Sequence, residues 1–561
     1  MSKDISNTFD ALVVGSGLSG GYIAKELCER GWRVLLIERG RPVEHITDYT
    51  TALTPPWELP HRGRAPKSLL EDYPVTARVY NKVSEYTAHF YTPDRLYPYQ
   101  EDARFDWIRG YQLGGKSLTW GRIALRFSDL DFEANAREGV AIDWPIRYRD
   151  LAPWYDRAER FVGIAGTKEG LPYLPDGIFQ PPMPMTCVEL AFKEKLKESF
   201  PHVHVIPARQ AHLTQPTEEQ LALGRGSCQF RNQCSRGCPY GAYFSTQSAS
   251  LPAAKRTQNL SVLTHAVVSH VVYDDTKQRA IGLEIIDANT KEKYTVLGHT
   301  IFLNASTLGT TQILMNSISK RFPHGMGNDS GVLGHYLMDH HFGAGATGIT
   351  PEHSDKLPYG RRPNGFYIPR YQNMGQDKRP YLRGFGYEGD SKRPPHLVDP
   401  SDFGADMKTK LSTPGPWQMS MQAFAETLPY ADNTVKLHLT EKDSWGLPLL
   451  IMNARFQENE AAMRNDMKQD AANFLEAAGF RDIHAYDEIR GFGRCIHEMG
   501  TARMGHSPKD SVLNRNNQVW GAPNVFVTDG AAMTSSACVN PSLTYLAMAG
   551  RAAEFAYREK P

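Results

Sequence analysis

The sequence lacks several features that mark particular classes of protein. No apolar run approaches the roughly 20 residues that a transmembrane helix needs, so we predict no membrane-spanning segment. The N-terminus has no basic head followed by an apolar core, so we expect no cleavable export signal. Seven cysteines are too few for a disulfide scaffold and odd in number. A net charge of +1 gives no indication of a nucleic-acid surface or a polyanionic substrate.

The N-terminal segment contains a nucleotide-binding pattern. A short apolar run at 11–14 leads into Gly15-x-Gly17-x-x-Gly20, and a helical pattern and a second apolar run follow, ending at Glu38. In such a unit the glycines permit a tight turn, close approach of a pyrophosphate and close helix packing, while the acid accepts hydrogen bonds from ribose hydroxyls. The pattern predicts a dinucleotide site but does not separate FAD from NAD.

A second glycine-rich turn lies further along the chain and favours the larger ligand. It contains Arg109, Gly114, Gly115 and Ser117 and enters a helical pattern. A second turn is expected when the ligand has another large part to hold, as FAD does. A plain glycine loop without a ligand is the alternative interpretation.

These motifs, with later ones, resemble the glucose–methanol–choline (GMC) oxidoreductases over nearly the whole chain. The glycine turns look like the family's FAD fingerprint and first signature, and 304–309, 333–340 and 497–540 look like later family motifs in the same order. The resemblance implies an α/β fold, with a Rossmann-like FAD-binding domain and an α+β substrate domain that contains an antiparallel sheet. We expect a discontinuous FAD-binding domain at 1–130, 225–340 and 490–561, and a substrate-binding domain at 131–224 and 341–489.

The resemblance implies roles for two C-terminal residues. His497 would be the base that takes the hydroxyl proton while hydride leaves carbon for the flavin, and Asn540 would orient the same hydroxyl. The chemistry agrees, because an imidazole titrates near neutral pH and a neutral amide holds oxygen without adding charge. A histidine packed in a core is the alternative for His497.

Further cofactor contacts are implied by the same resemblance. They fall at Val267, Ala305, Asp529, Gly530 and Pro541, with Pro541 starting the helix that faces the flavin. Some family members attach FAD through a histidine at the position of Thr119. Threonine cannot form that link, so we expect non-covalent FAD.

Three cysteines form a cluster spaced C-x5-C-x3-C, at Cys228, Cys234 and Cys238. Thiolates in so short a loop suit iron–sulfur or zinc, and three ligands suit a three-iron (3Fe-4S) cluster. The spacing resembles catalytic subunits of bacterial membrane-associated sugar dehydrogenases, which pass electrons to a cytochrome partner and are exported with a small signal-bearing subunit. In other GMC enzymes an iron-free loop occupies this place, and that interpretation stays open.

The substrate domain carries weaker signals. We predict strands at 434–439 and 449–456, a helix at 457–480 with a buried stripe, and surface loops at 351–365 and 389–416. Gln422 and Glu426 are candidate hydrogen-bonding partners of a sugar. A structural salt bridge is an equal alternative for Glu426.

The resemblance implies FAD-dependent oxidation of a secondary hydroxyl of a sugar or glycoside to a ketone, with C3 of a glucoside first. It is nearest to glucoside 3-dehydrogenases and pyranose oxidases. The alternatives are a gluconate- or glucose-type dehydrogenase, an oxidase that uses O2, and more remotely a non-redox FAD-containing lyase. We expect the chain either in the cytoplasm or in the periplasm through a partner subunit.

Overall fold

The structure, a computed structural model, describes residues 8–79, 83–396, 399–488 and 491–559. Its α-helices are α1 Leu18–Glu29, α2 Lys67–Leu70, α3 Asp129–Phe132, α4 Ala134–Glu138, α5 Tyr148–Val162, α6 Cys187–Ser199, α7 Glu218–Ala222, α8 Leu251–Arg256, α9 Thr307–Asn316, α10 Gly404–Ser412, α11 Glu458–Ala477 and α12 Ser542–Arg558. Among the described residues, no helix is both long and apolar enough to cross a bilayer.

The strands are numbered in chain order. They are β1 Phe9–Val14, β2 Val34–Ile37, β3 Gln100–Glu101, β4 Ile164–Ala165, β5 Phe179–Gln180, β6 Ile206–Pro207, β7 Leu260–Leu263, β8 Ala266–Asp274, β9 Arg279–Asp287, β10 Lys293–Leu303, β11 His341–Thr350, β12 Phe366–Ile368, β13 Phe385–Lys392, β14 Trp417–Ala425, β15 Thr434–Lys442, β16 Pro448–Asn453, β17 Arg481–Asp487, β18 Gln518–Val519 and β19 Ala522–Val527.

A parallel sheet forms the centre of the first core. Its strands run in the order β19-β10-β1-β2-β7, all parallel, and β18 and the β8–β9 hairpin extend it with antiparallel pairs. Residues 11–14 of β1 are all apolar because both faces of a parallel sheet are covered, and Ala11, Leu12 and Val13 have no exposed surface. Helices α1 and α12 pack against each other, and α5 packs on α12.

The predicted domain boundaries remain a prediction, but helix α5 packs in the first core. We expected 131–224 in the substrate domain, whereas Leu151, Tyr155 and Ala158 of α5 belong to the same hydrophobic core as β1 and α12. The physical reason is that the apolar face of α5 fits the surface of α12, a long-range contact that local patterns do not reveal.

An antiparallel sheet forms the second core, in the order β17-β11-β14-β13-β12-β6. Helix α11 packs across β11 and β17. Its predicted stripe is confirmed, because these residues are buried: Met463, Met467, Ala471, Phe474 and Leu475. Ala462 is only partly buried at the edge of this core.

The strands predicted at 434–439 and 449–456 are found as β15 and β16. They form a third, small sheet in the order β15-β16-β3. The prediction of a loop over 351–365 agrees with the structure. The loop predicted over 389–416 is wrong in part, because it holds the end of β13 and all of α10. Helix α10 has no buried residue, so its sequence lacks the apolar periodicity that reveals a helix.

Candidate active site

A cavity lies at the carboxyl ends of the parallel strands, where open α/β sheets bind their ligands. It encloses about 1560 Å³, including its open mouth. Most of the residues predicted from the sequence line it, namely Gly15, Gly17, Glu38, Arg109, Gly115, Ser117, Val267, Ala305, His497, Asp529, Gly530 and Asn540. Three of the predicted cofactor-binding residues are not part of the wall, namely Gly20, Gly114 and Pro541.

The first glycine turn has the geometry that a pyrophosphate needs. Gly15 has φ +87°, and a Cβ there would lie 2.2 Å from the carbonyl oxygen of Asn304. A Cβ at Gly20 would lie 1.9 Å from the carbonyl oxygen of Gly15, so helix α1 can approach β1 only without a side chain. A Cβ at Gly17 would meet no atom within 4 Å, because it would project into open space. These are the turn, packing and approach roles predicted for the three glycines.

Hydrogen bonds join the two glycine turns. The Ser16 hydroxyl donates to Glu38 Oε2 at 2.5 Å and accepts from the Gly114 amide at 2.8 Å. Glu38 also accepts from the amide of Gly40 at 2.9 Å. Burial raises the pKa of Glu38, and the bonds from Ser16 and Gly40 oppose that rise. The carboxylate is thereby held at the end of β2, where a ribose would meet it.

The cavity wall presents polar groups that lack partners within the described chain. Buried atoms without a hydrogen-bond partner there include Asn304 Nδ2, Glu498 Oε1 and Tyr545 OH. Helices α1, α9 and α12 also begin at the wall, with Leu18, Thr307 and Ser542 among its lining residues. Unpaired helix N–H groups attract anions and acceptors. The wall therefore fits a long, polar, anionic ligand such as a dinucleotide.

His497 lies beside a second imidazole. Its Nδ1 is 3.0 Å from Nδ1 of His340, and the two rings meet edge to face at 83°. Nε2 of His340 lies 3.3 Å from the carbonyl oxygen of Ser536. His340 is buried, and burial lowers its pKa to about 4. Sulfur Sγ of Cys495 lies 3.4 Å from His497 Nδ1.

Asp339 holds the loop that carries His497. Its Oδ1 accepts from the amides of His497 at 3.0 Å and His340 at 2.9 Å, and its Oδ2 accepts from the amide of Cys495 at 3.1 Å. Burial and then the charge of Glu498 raise its pKa, against these three bonds. The loop is strained, since Ile496 has φ +61°, which a β-branched residue rarely adopts. One side chain thus holds the backbone that leads into His497.

Asn540 sits at the junction of two cavities. It lines the first, and it acts on Glu388, which lines a second cavity of about 2350 Å³, its open part included. Ile123 lines both cavities. Burial raises the pKa of Glu388 to about 7, and the side chain of Asn540 opposes that rise. Gln422 lines the second cavity, as a substrate contact would.

Glu426 lines neither cavity. Its side chain is buried 3.6 Å from the guanidinium of Arg383, which also pairs with Glu138 at 3.0 Å. The structure favours the salt-bridge alternative for Glu426, and its role as a sugar ligand stays a prediction. Residue 426 follows the end of β14, and its side chain is buried in the protein interior.

The cysteine cluster is less compact than a single-ion site. Within the described residues, the sulfurs of Cys228, Cys234 and Cys238 do not come within 4.8 Å of one another as ligands of one ion would. All three are free thiols, and burial raises the pKa of Cys228 to about 11. His340, Cys495 and His497 do meet that distance limit, but the Nδ1–Nδ1 distance of 3.0 Å is that of a hydrogen bond.

Two groups at this site were not identified from the sequence. His340 ends the 333–340 motif, which was interpreted only as the exit from the nucleotide domain. Glu388 lies on β13, one residue before the loop predicted over 389–416. The Asp339-His340 pair at the end of a recognised motif was a usable signal, whereas nothing local marks Glu388.

Comparison with known proteins identifies the family. Models of the N-terminal and C-terminal parts of the GMC oxidoreductases match residues 9–342 and 429–549. The chain belongs to the GMC oxidoreductase family. The predicted family and the prediction of a GMC oxidoreductase that acts on CH–OH groups are therefore confirmed, and members of this family bind FAD.

Individual relatives cover the whole chain at low identity. The 2-methyl-1,2-propanediol dehydrogenase of Mycolicibacterium austroafricanum is 29% identical, over 98% of this chain and 95% of its own. The fructose dehydrogenase large subunit of Gluconobacter japonicus is 25% identical, over 97% of each. The crystal structure of pyridoxine 4-oxidase from Mesorbium loti superposes with a TM-score of 0.59 at 16% identity, over 99% of this chain and 100% of that one. This likeness confirms the predicted fold class.

Proposed function

We propose that this chain oxidises a CH–OH group of a sugar or related polyol, with FAD as the hydride acceptor. The observation that carries the proposal is that His497 and Asn540 line the same cavity as both glycine turns. A base, an orienting amide and a dinucleotide cradle in one cavity are what alcohol oxidation by a flavin requires. The same arrangement has no evident use in a lyase that leaves its flavin unreduced.

The cavity fits FAD by its own residues. Gly15, Gly17 and the start of α1 would hold the pyrophosphate, and Glu38 and Val267 would face the adenosine. The second turn, with Asp529 and the start of α12, would hold the flavin half. When bound, FAD supplies the acceptor for a hydride that leaves a substrate carbon. Thr119 lines the cavity and offers no imidazole, which supports non-covalent binding.

The chain's own residues account for the proton. His497 takes the hydroxyl proton of the substrate, since a neutral imidazole is a base near pH 7. Asn540 holds the same oxygen, and it is a buried residue whose side chain acts to lower the pKa of Glu388.

The second cavity supports a substrate larger than a simple alcohol. It adjoins Asn540 and presents Glu388 and Gln422, which can bond to several hydroxyls. A glycoside oxidised at a secondary hydroxyl, with C3 of a glucoside first, would place its remaining ring and aglycone there. A small diol is the second candidate substrate, and the similarity to a 2-methyl-1,2-propanediol dehydrogenase favours it.

An iron cluster and partner subunits belong to the same proposal. The spacing of the three cysteines and the likeness to a fructose dehydrogenase large subunit support a three-iron cluster and a cytochrome-type acceptor. Without a metal, the raised pKa values of Cys228 and Cys234 keep these thiols protonated, so metal binding would have to displace the protons.

The test is an anaerobic titration of the purified yellow protein, followed at the flavin band. The panel contains methyl glucoside, fructose, gluconate and 2-methyl-1,2-propanediol, and iron is assayed on the same sample. We expect bleaching by a sugar or glycoside, and none in His497→Ala, which should keep its flavin. Bleaching by the diol alone would shift the assignment to small diols. A flavin that no alcohol bleaches would refute the proposed function.

A further inference from the structure

His340 is a buried imidazole that the proposed reaction does not yet use. We propose that His340 is a positioning residue that fixes the tautomer of His497, with the proton on Nδ1 and the lone pair on Nε2. The inference rests on the proposed role of His497 as the base. It adds the reason why the base presents an acceptor nitrogen to the substrate.

The Ser536 carbonyl, the His340 ring and the His497 ring form a chain of two contacts, and the ring protons can be assigned along it. The carbonyl oxygen of Ser536 only accepts hydrogen bonds, so Nε2 of His340, 3.3 Å away, must be the nitrogen that carries hydrogen. A neutral imidazole carries one ring proton, so Nδ1 of His340 is then bare. The Nδ1 of His497, 3.0 Å from that bare nitrogen, must donate to it, because two lone pairs do not meet at this distance. Nε2 of His497 is left as the basic nitrogen.

The neutral state of His340 has a physical cause. The ring is buried in the protein, and burial lowers its pKa to about 4. The titratable groups nearest the pair are Cys495 against the His497 ring, Asp339 beneath both backbones, and Glu498 paired with Lys116 at 3.0 Å. Asp339 bonds to the backbone amides of both histidines and not to the ring nitrogens in these bonds.

The surroundings hold the pair in one arrangement. The rings meet at 83°, with centroids 5.0 Å apart, which aims one Nδ1 at the other. Asp339 bonds to the backbone amides of both histidines, so the two side chains extend from fixed backbone positions. In the other tautomer, His497 would carry hydrogen on Nε2 and could not accept the hydroxyl proton there.

Two substitutions separate this role from simple packing. His340→Leu fills the space but offers no acceptor, and we expect the rate of flavin reduction to fall by about 10- to 100-fold, a part of what a general base supplies. His340→Asn places an amide oxygen near the position of Nδ1, and we expect it to restore the rate to within a few-fold. The apparent substrate affinity should change little in either variant, since His340 lines neither cavity.

The tautomer can also be measured without turnover. Holoenzyme labelled with ¹⁵N in histidine gives distinct nitrogen resonances for bare and protonated ring positions, and His497→Asn identifies the signals of His497. We expect a protonated Nδ1 in wild type and His340→Asn, and loss of that preference in His340→Leu. Flavin absorbance checks that each variant is folded and loaded.

Each outcome decides the matter. A slow His340→Leu, a restored His340→Asn and the expected resonances support the inference. A protonated Nε2 in wild type overturns it, and so do two variants that are equally slow with an unchanged tautomer. Full flavin reduction in His497→Ala would instead refute the proposed base, while the resonances would still report the hydrogen bond.

Discussion

Replacement of Glu426 by glutamine tests whether this carboxyl group belongs to the substrate site or to the fold. Glu426 is 1% exposed and Arg383 is fully buried. Burial raises the pKa of Glu426 to about 7, although Arg383 and Arg370 act to lower it. The guanidinium of Arg383 keeps other partners, because it donates to Asn135 at 2.6 Å and pairs with Glu138. Glutamine keeps the shape and removes only the buried charge.

The sign and size of the effect follow from that pKa. The folded carboxyl binds its proton more tightly than the unfolded one, so wild type loses stability as pH rises from 4.5 through about 7. At 1.36 kcal/mol per pKa unit, the loss is about 3 kcal/mol, and Glu426→Gln does not suffer it. With about 2.1 cal/mol/K of unfolding entropy per residue, that is a shift of about 2–3 °C in a chain of 561 residues that unfolds as one unit.

The assay is thermal unfolding of the holoenzyme between pH 4.5 and 8, with flavin reduction measured at pH 7. The melting temperature of Glu426→Gln minus that of wild type should rise by about 2–3 °C over this range, while substrate affinity stays unchanged. Gln422→Ala is the matched control, because it lines the second cavity and should weaken substrate binding without any pH-dependent change in stability. A Glu426→Gln enzyme with weakened substrate binding and the wild-type pH dependence would refute the reasoning.

Three further predictions concern the cofactor and the second cavity. Gly15→Ala should lower both the melting temperature and the flavin content, because its Cβ would meet Asn304, whereas Gly17→Ala should lower flavin content alone; thermal shift and absorbance distinguish the two. Glu388→Gln should gain melting temperature relative to wild type above pH 7, where wild type carries the buried charge, and not at pH 5. Serine replacements at Cys228, Cys234 and Cys238 should remove about three irons per chain without loss of flavin. Wild-type protein that contains no iron would contradict the proposed cluster.

The nucleotide half of the site was predictable because local geometry decides it. A positive φ at Gly15 and backbone contact at Gly20 can be met only by glycine, so the requirement appears in the sequence as a fixed spacing. The acid at the end of β2 is fixed in the same way. Such signals depend on residues close together in the chain, and the structure places Gly15, Gly17 and Glu38 in one wall as expected.

The remainder depended on contacts between distant segments. Helix α5 joins the first core by packing on α12, nearly 400 residues further along the chain. Glu388 and Glu426 have similar sequence character, yet one reaches a cavity and the other pairs with Arg383. Glu388 lies within β13, opposite Gln422, whereas Glu426 follows the last residue of β14. Residue type and alternation alone cannot decide which side of a strand end faces a ligand.

The division of the site between two cores separates reactivity from specificity. His497, His340 and Asp339 are held by loops next to the parallel sheet, through bonds that need no substrate. Glu388 and Gln422 belong to the antiparallel sheet, where they line the second cavity. Asn540 lies between the two groups, because it lines the first cavity and acts on Glu388 of the second. Under the proposed function, changes along β13 and β14 would alter which alcohol fits while His497 stays in place, so relatives that share one fold could differ in their named substrates.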